Sequence, residues 1–132
     1  MKMHPVVHFE IPADDRKRAC DFYGKVFGWQ TKQLGQEMGN YVLVTTTESD
    51  EQGPIRRAAI NGGLYQKQAG KPMQYPSVVI PVEDIKEHMM IVEKAGGKIL
   101  GEPWDIPGYG IYVSFLDSEG NRIGMMQPII GM

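Results

Sequence analysis

Residues 8–30, HFEIPADDRKRACDFYGKVFGWQ, recur in outline 69 residues later as residues 77–99, SVVIPVEDIKEHMMIVEKAGGKI. At that offset Ile11 meets Ile80, Pro12 meets Pro81, Asp15 meets Asp84, Lys17 meets Lys86, Lys25 meets Lys94 and Gly28 meets Gly97. Asp14 meets Glu83 and keeps its charge. The placement of these matches carries the argument, because strand end, acidic helix start and glycine helix stop all coincide. A repeat of this kind defines an architecture before any local pattern does.

Working outward, each half opens with a short strand, 6–11 or 77–82. An acidic pair then begins a helix, where carboxylates cap free amides and suit the macrodipole. Helix one carries the apolar stripe Ala19, Phe22, Tyr23, Val26 and Phe27; helix two carries Ile85, Met89, Val92 and Ala95. Gly28 and the Gly96-Gly97 pair are natural stops. Three strands are expected after each helix: 29–34, 41–46 and 57–64, then 98–104, 111–116 and 122–127. The turn-rich segments GQEMGN, ESDEQGP, DIPGYG and DSEGN separate them. The chain therefore reads βαβββ twice, as an α+β fold, with modules at about 5–66 and 76–128 inside a single domain spanning 1–132. The polar segment 66–76, QKQAGKPMQYP, is the expected linker.

A chain of 132 residues with net charge −2 is long enough for a real core and has no basic block for a phosphate backbone, so no nucleic-acid partner is expected. No apolar run approaches membrane-spanning length, and the start MKMHPVVHFE, without a long apolar segment, is not expected to act as a signal peptide. The single cysteine, Cys20, excludes an intrachain disulfide and points to a reducing compartment, most simply the cytoplasm. It falls in the helix-one pattern, where a small core or boundary residue is the expected role.

The strand that opens the chain holds a histidine, His8, with Glu10 two residues on. Residues two apart share one face of a strand, so the pair stands opposite Val7, Phe9 and Ile11. A metal site, a ligand pocket and a solvated face all remain open for such a pair.

The opening HFEIPADD with FYGKVFGW, and the closing LDSEGNRIGMMQ, resemble the vicinal oxygen chelate superfamily, the glyoxalase/bleomycin resistance/dioxygenase family. The likeness covers nearly the whole chain and is similar in particular to members related to lactoylglutathione lyase. It implies two βαβββ modules forming a curved sheet, helices outside and a concave cup inside, commonly in a homodimer. It also implies four metal-ligand positions, which fall here on His8, Asn61, Ser77 and Gly124. Gly124 has no side chain where the resemblance would put a glutamate. Ser77 and Asn61 are weak ligands for a catalytic divalent ion. No metal ligand set and no cofactor is therefore expected, with nickel, zinc or iron as the ions a retained site would take.

Parity along the inner strands offers His8, Glu10, Asn61, Ser77 and Arg122 to the cup, beside the small residues Ala59, Gly63 and Gly124, which would leave volume. Convergent polar groups in a neutral cavity suit a small-molecule ligand. Trp104 and Tyr109, in the expected loop 102–110, could close over it or fold back into the core. The resulting expectation is a small-molecule-binding protein with a degenerate metal site, akin to the bleomycin-resistance branch. The alternatives are a metal-dependent lyase of the lactoylglutathione lyase-related type, or a non-metal enzyme of lyase or isomerase type with His8 as base and Glu10 as its partner.

Overall fold

A computed structural model describes residues 2–129. They fall into two compact units: one is residues 8–76, and the other joins the residues before His8 to those from Ser77 onward. In the first unit β1 (His8–Ala13) leads to α1 (Arg16–Phe27), β2 (Gln30–Gln33), β3 (Val42–Thr45), a small hairpin of β4 (Ser49–Asp50) and β5 (Gly53–Pro54), and β6 (Asn61–Gln66). Its main strands lie in the order β2-β3-β6-β1, with β1 and β6 parallel and the other pairs antiparallel. The second unit runs β7 (Ser77–Pro81), α2 (Ile85–Lys94), β8 (Lys98–Ile106), β9 (Gly110–Leu116) and β10 (Arg122–Pro128). Its order, β8-β9-β10-β7, repeats the first, again with one parallel pair, β7 and β10. Each unit is thus a βαβββ module, and the fold is α+β.

The helix starts agree atom for atom with the repeat. Asp15 caps α1 by accepting from the Arg18 amide at 3.0 Å, and Asp84 caps α2 by accepting from the Glu87 amide at 3.1 Å. Gly28 ends α1 with φ of 73°, a left-handed conformation that glycine adopts without penalty.

One face of each sheet packs on its own helix. In the first module Val42, Val44 and Leu64 are buried with Phe9, Ile11, Ala19, Cys20 and Trp29 around them. In the second, Val82, Ile85, Val113 and Met125 are buried with Met89, Val92, Ile99, Ile111 and Phe115. In α2, Ile85, Met89 and Val92 face the core as expected, whereas Ala95 is exposed at the helix end. The α1 stripe does not face it as expected: Phe22, Val26 and Phe27 are each more than half exposed, and α1 turns Ala19 and Cys20 to the sheet. Tyr23 instead stacks on Trp29 at 4.7 Å between ring centroids. A wide apolar arc on a helix does not say which of its edges faces the core, and the small residues allow the closer approach.

Three further differences follow from local chemistry. The segment ESDEQGP forms the hairpin β4–β5 rather than a plain turn. Residues 57–60 precede β6 instead of extending it, with Ala58 at φ of 70°. The strand expected at 98–104 runs on to Ile106 as β8, into the expected loop, and its ladder slips between Leu100 and Trp104 where Gly101 takes φ of 70° and Pro103 cannot donate. The N-terminal segment also pairs within the second unit: Val7 donates its amide to Val79 at 3.3 Å, His4 Nδ1 donates to the Pro81 carbonyl at 3.2 Å, and Lys2 pairs with Glu83. Lys2 holds the exposed Glu83 carboxyl below the usual carboxylate range.

Candidate functional site

In the first module, the face turned away from α1 carries the polar side chains. Phe9 and Ile11 pack on the helix side of β1, so alternation sends His8 and Glu10 to the other. His8 stands opposite Asn61, and Glu10 opposite Gly63, on the parallel neighbour β6. Tyr41, just before β3, reaches between them. Its hydroxyl lies 2.9 Å from His8 Nε2 and donates to Glu10 Oε2 at 3.2 Å. The His8 and Tyr41 rings lie nearly parallel, 21° apart, with centroids 6.3 Å from each other. Burial lowers the His8 pKa from its ordinary value, because a half-dry pocket disfavours the imidazolium; the Glu10 carboxylate opposes this in part. The shift favours the uncharged ring at neutral pH.

Tyr41 fits because Gly63 has no side chain: a β-carbon there would overlap the Tyr41 ring. The neighbour Gly62 serves the opposite face, where a β-carbon would meet Phe9. The pair Gly62-Gly63 thus seats one aromatic ring on each side of β6. Gly63 and Gly124 do not leave volume, contrary to expectation. The register keeps the 69-residue offset of the first strands but shifts the match between the last strands, where the family-implied positions Asn61 and Gly124 would be counterparts. Gly124 pairs with Val79 and Ser114, as Gly63 pairs with Glu10 and Leu43, so Gly63 is the counterpart of Gly124. Extending the same ladder puts Arg122, not Gly124, level with Ser77. Because strand faces alternate with period two, a slip of two residues keeps every side chain on its face and leaves no trace in the pattern.

Asn61 is committed to its own module. Its Oδ1 accepts from the Thr46 amide at 2.9 Å, and its Nδ2 donates to Ser49 Oγ at 2.9 Å. The side chain pins the end of β3 to the following hairpin. In the second module, Ser77, Trp104 and Arg122 share the sheet face away from α2, since Trp104 pairs with Tyr112 and Arg122 with Leu116, out of phase with buried Val113. Ser77 Oγ is buried without a hydrogen-bond partner among the described residues. Trp104 is 48 % exposed on β8, and Tyr109 lies in the β8–β9 turn, its amide bonded to the Ile106 carbonyl at 3.0 Å. Asp117, in the DSEGN turn, accepts from the Asn121 and Glu119 amides at 2.9 and 2.8 Å, bonds that hold its carboxyl below the usual range. The sequence pattern missed Tyr41; the signal available was an aromatic two residues before the β3 position that faces Gly63.

A cleft of about 370 Å³ beside the start of α1 is lined by Asp14, Asp15, Arg16, Lys17, Gln33 and Gln66, and includes neither His8 nor Glu10. Cys20 is a free thiol packed against the first core.

The model of the glyoxalase/bleomycin resistance protein/dioxygenase superfamily matches residues 6–125. The chain belongs to this superfamily. It is 25 % identical over 130 residues to a probable lactoylglutathione lyase of Vibrio cholerae, covering 96 % of this chain and 93 % of that protein. A glyoxylase-like domain-containing protein of Didymella fabae is 30 % identical over 115 residues, covering 85 % and 84 %. Among solved structures, a Streptomyces coelicolor methylmalonyl-CoA epimerase in complex with 2-nitronate-propionyl-CoA shares the fold, with a TM-score of 0.69 at 13 % identity over 98 % of each chain. The divalent ion that the family resemblance implies does not fit these residues. Among those described, no three His, Cys, Asp or Glu side chains come together as ligands. Gly124 lies under Tyr112, and the Asn61 amide is already bonded on both ends. No helix described is long and apolar enough to cross a membrane.

Proposed function

We propose that this superfamily member binds a small organic molecule against the His8 face of its first module, without a family-type metal ion. The observation that carries the reading is the chain His8–Tyr41–Glu10: a neutral imidazole, a phenol and a carboxylate wired together on the sheet face that the hydrophobic core does not use. A polar network of this kind is costly unless it is satisfied, and it presents a few directed groups of the sort that orient a ligand. The relatives supply candidate chemistries, a glutathione thioester and a coenzyme A thioester, through the names they carry. The wiring also favours a second reading, in which neutral His8 takes a proton from the bound molecule and Glu10 steadies the resulting charge.

The test is a thermal-shift and calorimetric screen of acyl-glutathiones, acyl-CoAs and small carboxylic acids, on protein purified without chelator and again after EDTA. The expected result is a ligand whose affinity is unchanged by EDTA and weakened at least tenfold in Tyr41→Phe. Elemental analysis is expected to find no stoichiometric nickel, zinc or iron. A ligand that binds only with added metal would overturn the proposal.

A further inference from the structure

Resting on that reading of the His8 face, we infer that Tyr41 is a positioning residue that sets the tautomer of His8, holding the ring as Nε2–H and leaving Nδ1 as the nitrogen that accepts from the ligand. The argument counts protons. A phenol has one, and the Tyr41 oxygen stands between His8 Nε2 at 2.9 Å and Glu10 Oε2 at 3.2 Å. A carboxylate only accepts. If the phenol proton went to Nε2, oxygen lone pairs would face each other at 3.2 Å with no hydrogen between them. Donation to Glu10 removes that repulsion and leaves the phenol oxygen as an acceptor. His8 Nε2 must then carry a hydrogen, so the lone pair of the neutral ring is on Nδ1. Among the described residues nothing else hydrogen-bonds the ring.

The position of Tyr41 is fixed rather than accidental, because the ring lies in the space that Gly63 leaves over β6. Two groups that the sequence brings together by strand parity, His8 and Glu10, are thereby coupled through a third from the segment just before β3. The assignment narrows the ligand chemistry. Nδ1 takes an N–H, an O–H, or a C–H acidified by a neighbouring carbonyl. If a proton moves, the ligand–H bond breaks and its electron pair stays on the ligand. The Nδ1–H bond forms, and the imidazolium points Nε2–H along Tyr41 toward the Glu10 carboxylate. No oxidant, reductant or metal enters this balance.

Long-range ¹H–¹⁵N correlation on the full chain with labelled histidine, at a pH where His8 is neutral, reads the tautomer with no ligand present. The expected spectrum has His8 Nδ1 far downfield as the bare nitrogen and Nε2 at the protonated position. Tyr41→Phe keeps the ring over Gly63 but should pull the two resonances toward an averaged pair. Glu10→Ala should free the phenol proton for Nε2 and invert the pattern to Nδ1–H. A parent spectrum showing Nδ1–H, or one unmoved by Tyr41→Phe in a protein whose amide spectrum is otherwise preserved, overturns the inference. If Tyr41→Phe does not fold, the parent and Glu10→Ala spectra decide it. Ligand binding is scored separately, so a ligand screen without hits would remove the binding proposal and leave the tautomer assignment standing.

Discussion

Tyr112 lies across Gly124, its hydroxyl 2.7 Å from the point where a β-carbon on that glycine would stand. The first module holds the same arrangement, with Tyr41 over Gly63. Each tyrosine precedes by two residues the one paired with its glycine, Ser114 in one module and Leu43 in the other. Aromatic rings covering strand glycines are a packing device, and here the repeat preserves the device while the polar residues around it diverge.

Filling either glycine should therefore overpack the sheet. Gly63→Ala and Gly124→Ala are each expected to cost about 1–3 kcal/mol, read from urea unfolding midpoints. Gly124→Glu should be destabilised as well and should gain no metal binding, because Tyr112 occupies the space the carboxylate would need. The double variant Gly124→Glu with Tyr112→Ala should recover part of the loss. Full stability in Gly124→Ala would show that Tyr112 moves aside freely.

Acid should weaken the fold through His8. Its folded pKa lies below the unfolded value of about 6.5, so the unfolded chain binds the proton first. The linkage sign is that stability is complete above the unfolded pKa and falls as pH drops below it, levelling off once the folded pKa is passed. Melting temperatures of His8→Gln, compared with the parent from pH 8 to pH 5, should show a smaller decline. Parallel declines would mean that other groups carry the acid sensitivity.

Asn61→Ala should act on folding rather than on the site. It removes the acceptor for the Thr46 amide and the donor to Ser49, and leaves a half-buried amide unpaired. The expected cost is about 1–3 kcal/mol, with amide exchange quickening in residues 46–54. An unchanged exchange pattern there would sink the tether.

The βαβββ repeat, both acidic caps and the His8–Glu10 face were legible in the sequence, because they rest on local rules: side-chain alternation, capping oxygens and turn glycines. What was not legible depended on which atoms meet across strands. The α1 stripe was wide enough to be oriented wrongly, and only packing chose Ala19 and Cys20 over Phe22 and Val26. Gly63 and Gly124 read as space because a glycine in a sequence does not announce the ring above it. Trp104 fell where the expected strand 98–104 and loop 102–110 overlap, among prolines and glycines, whereas the edge strand β8 runs on to Ile106 through a bulge at Gly101 and Pro103. The two-residue slip between Asn61 and Gly124 was invisible for a stricter reason, since it conserves parity.

Removing the His8 ring should separate site from scaffold. Neither buried cluster includes His8; Phe9, its neighbour on the other face, does the packing. His8→Ala takes away one hydrogen bond to Tyr41 in a half-buried setting where water can replace it. At pH 8, where the parent ring is neutral, the expected loss is about 1 kcal/mol or less by chemical denaturation. Glu10 and Tyr41 keep their mutual bond, so the amide spectrum should change only around β1, β6 and Tyr41. Any ligand found for the parent should bind at least tenfold more weakly, and the same loss in His8→Phe, which restores ring volume without the nitrogens, would assign the effect to the imidazole. If His8→Ala instead unfolds the chain while His8→Phe restores both stability and affinity, the ring is a packing element and the polar face around it is not the working site.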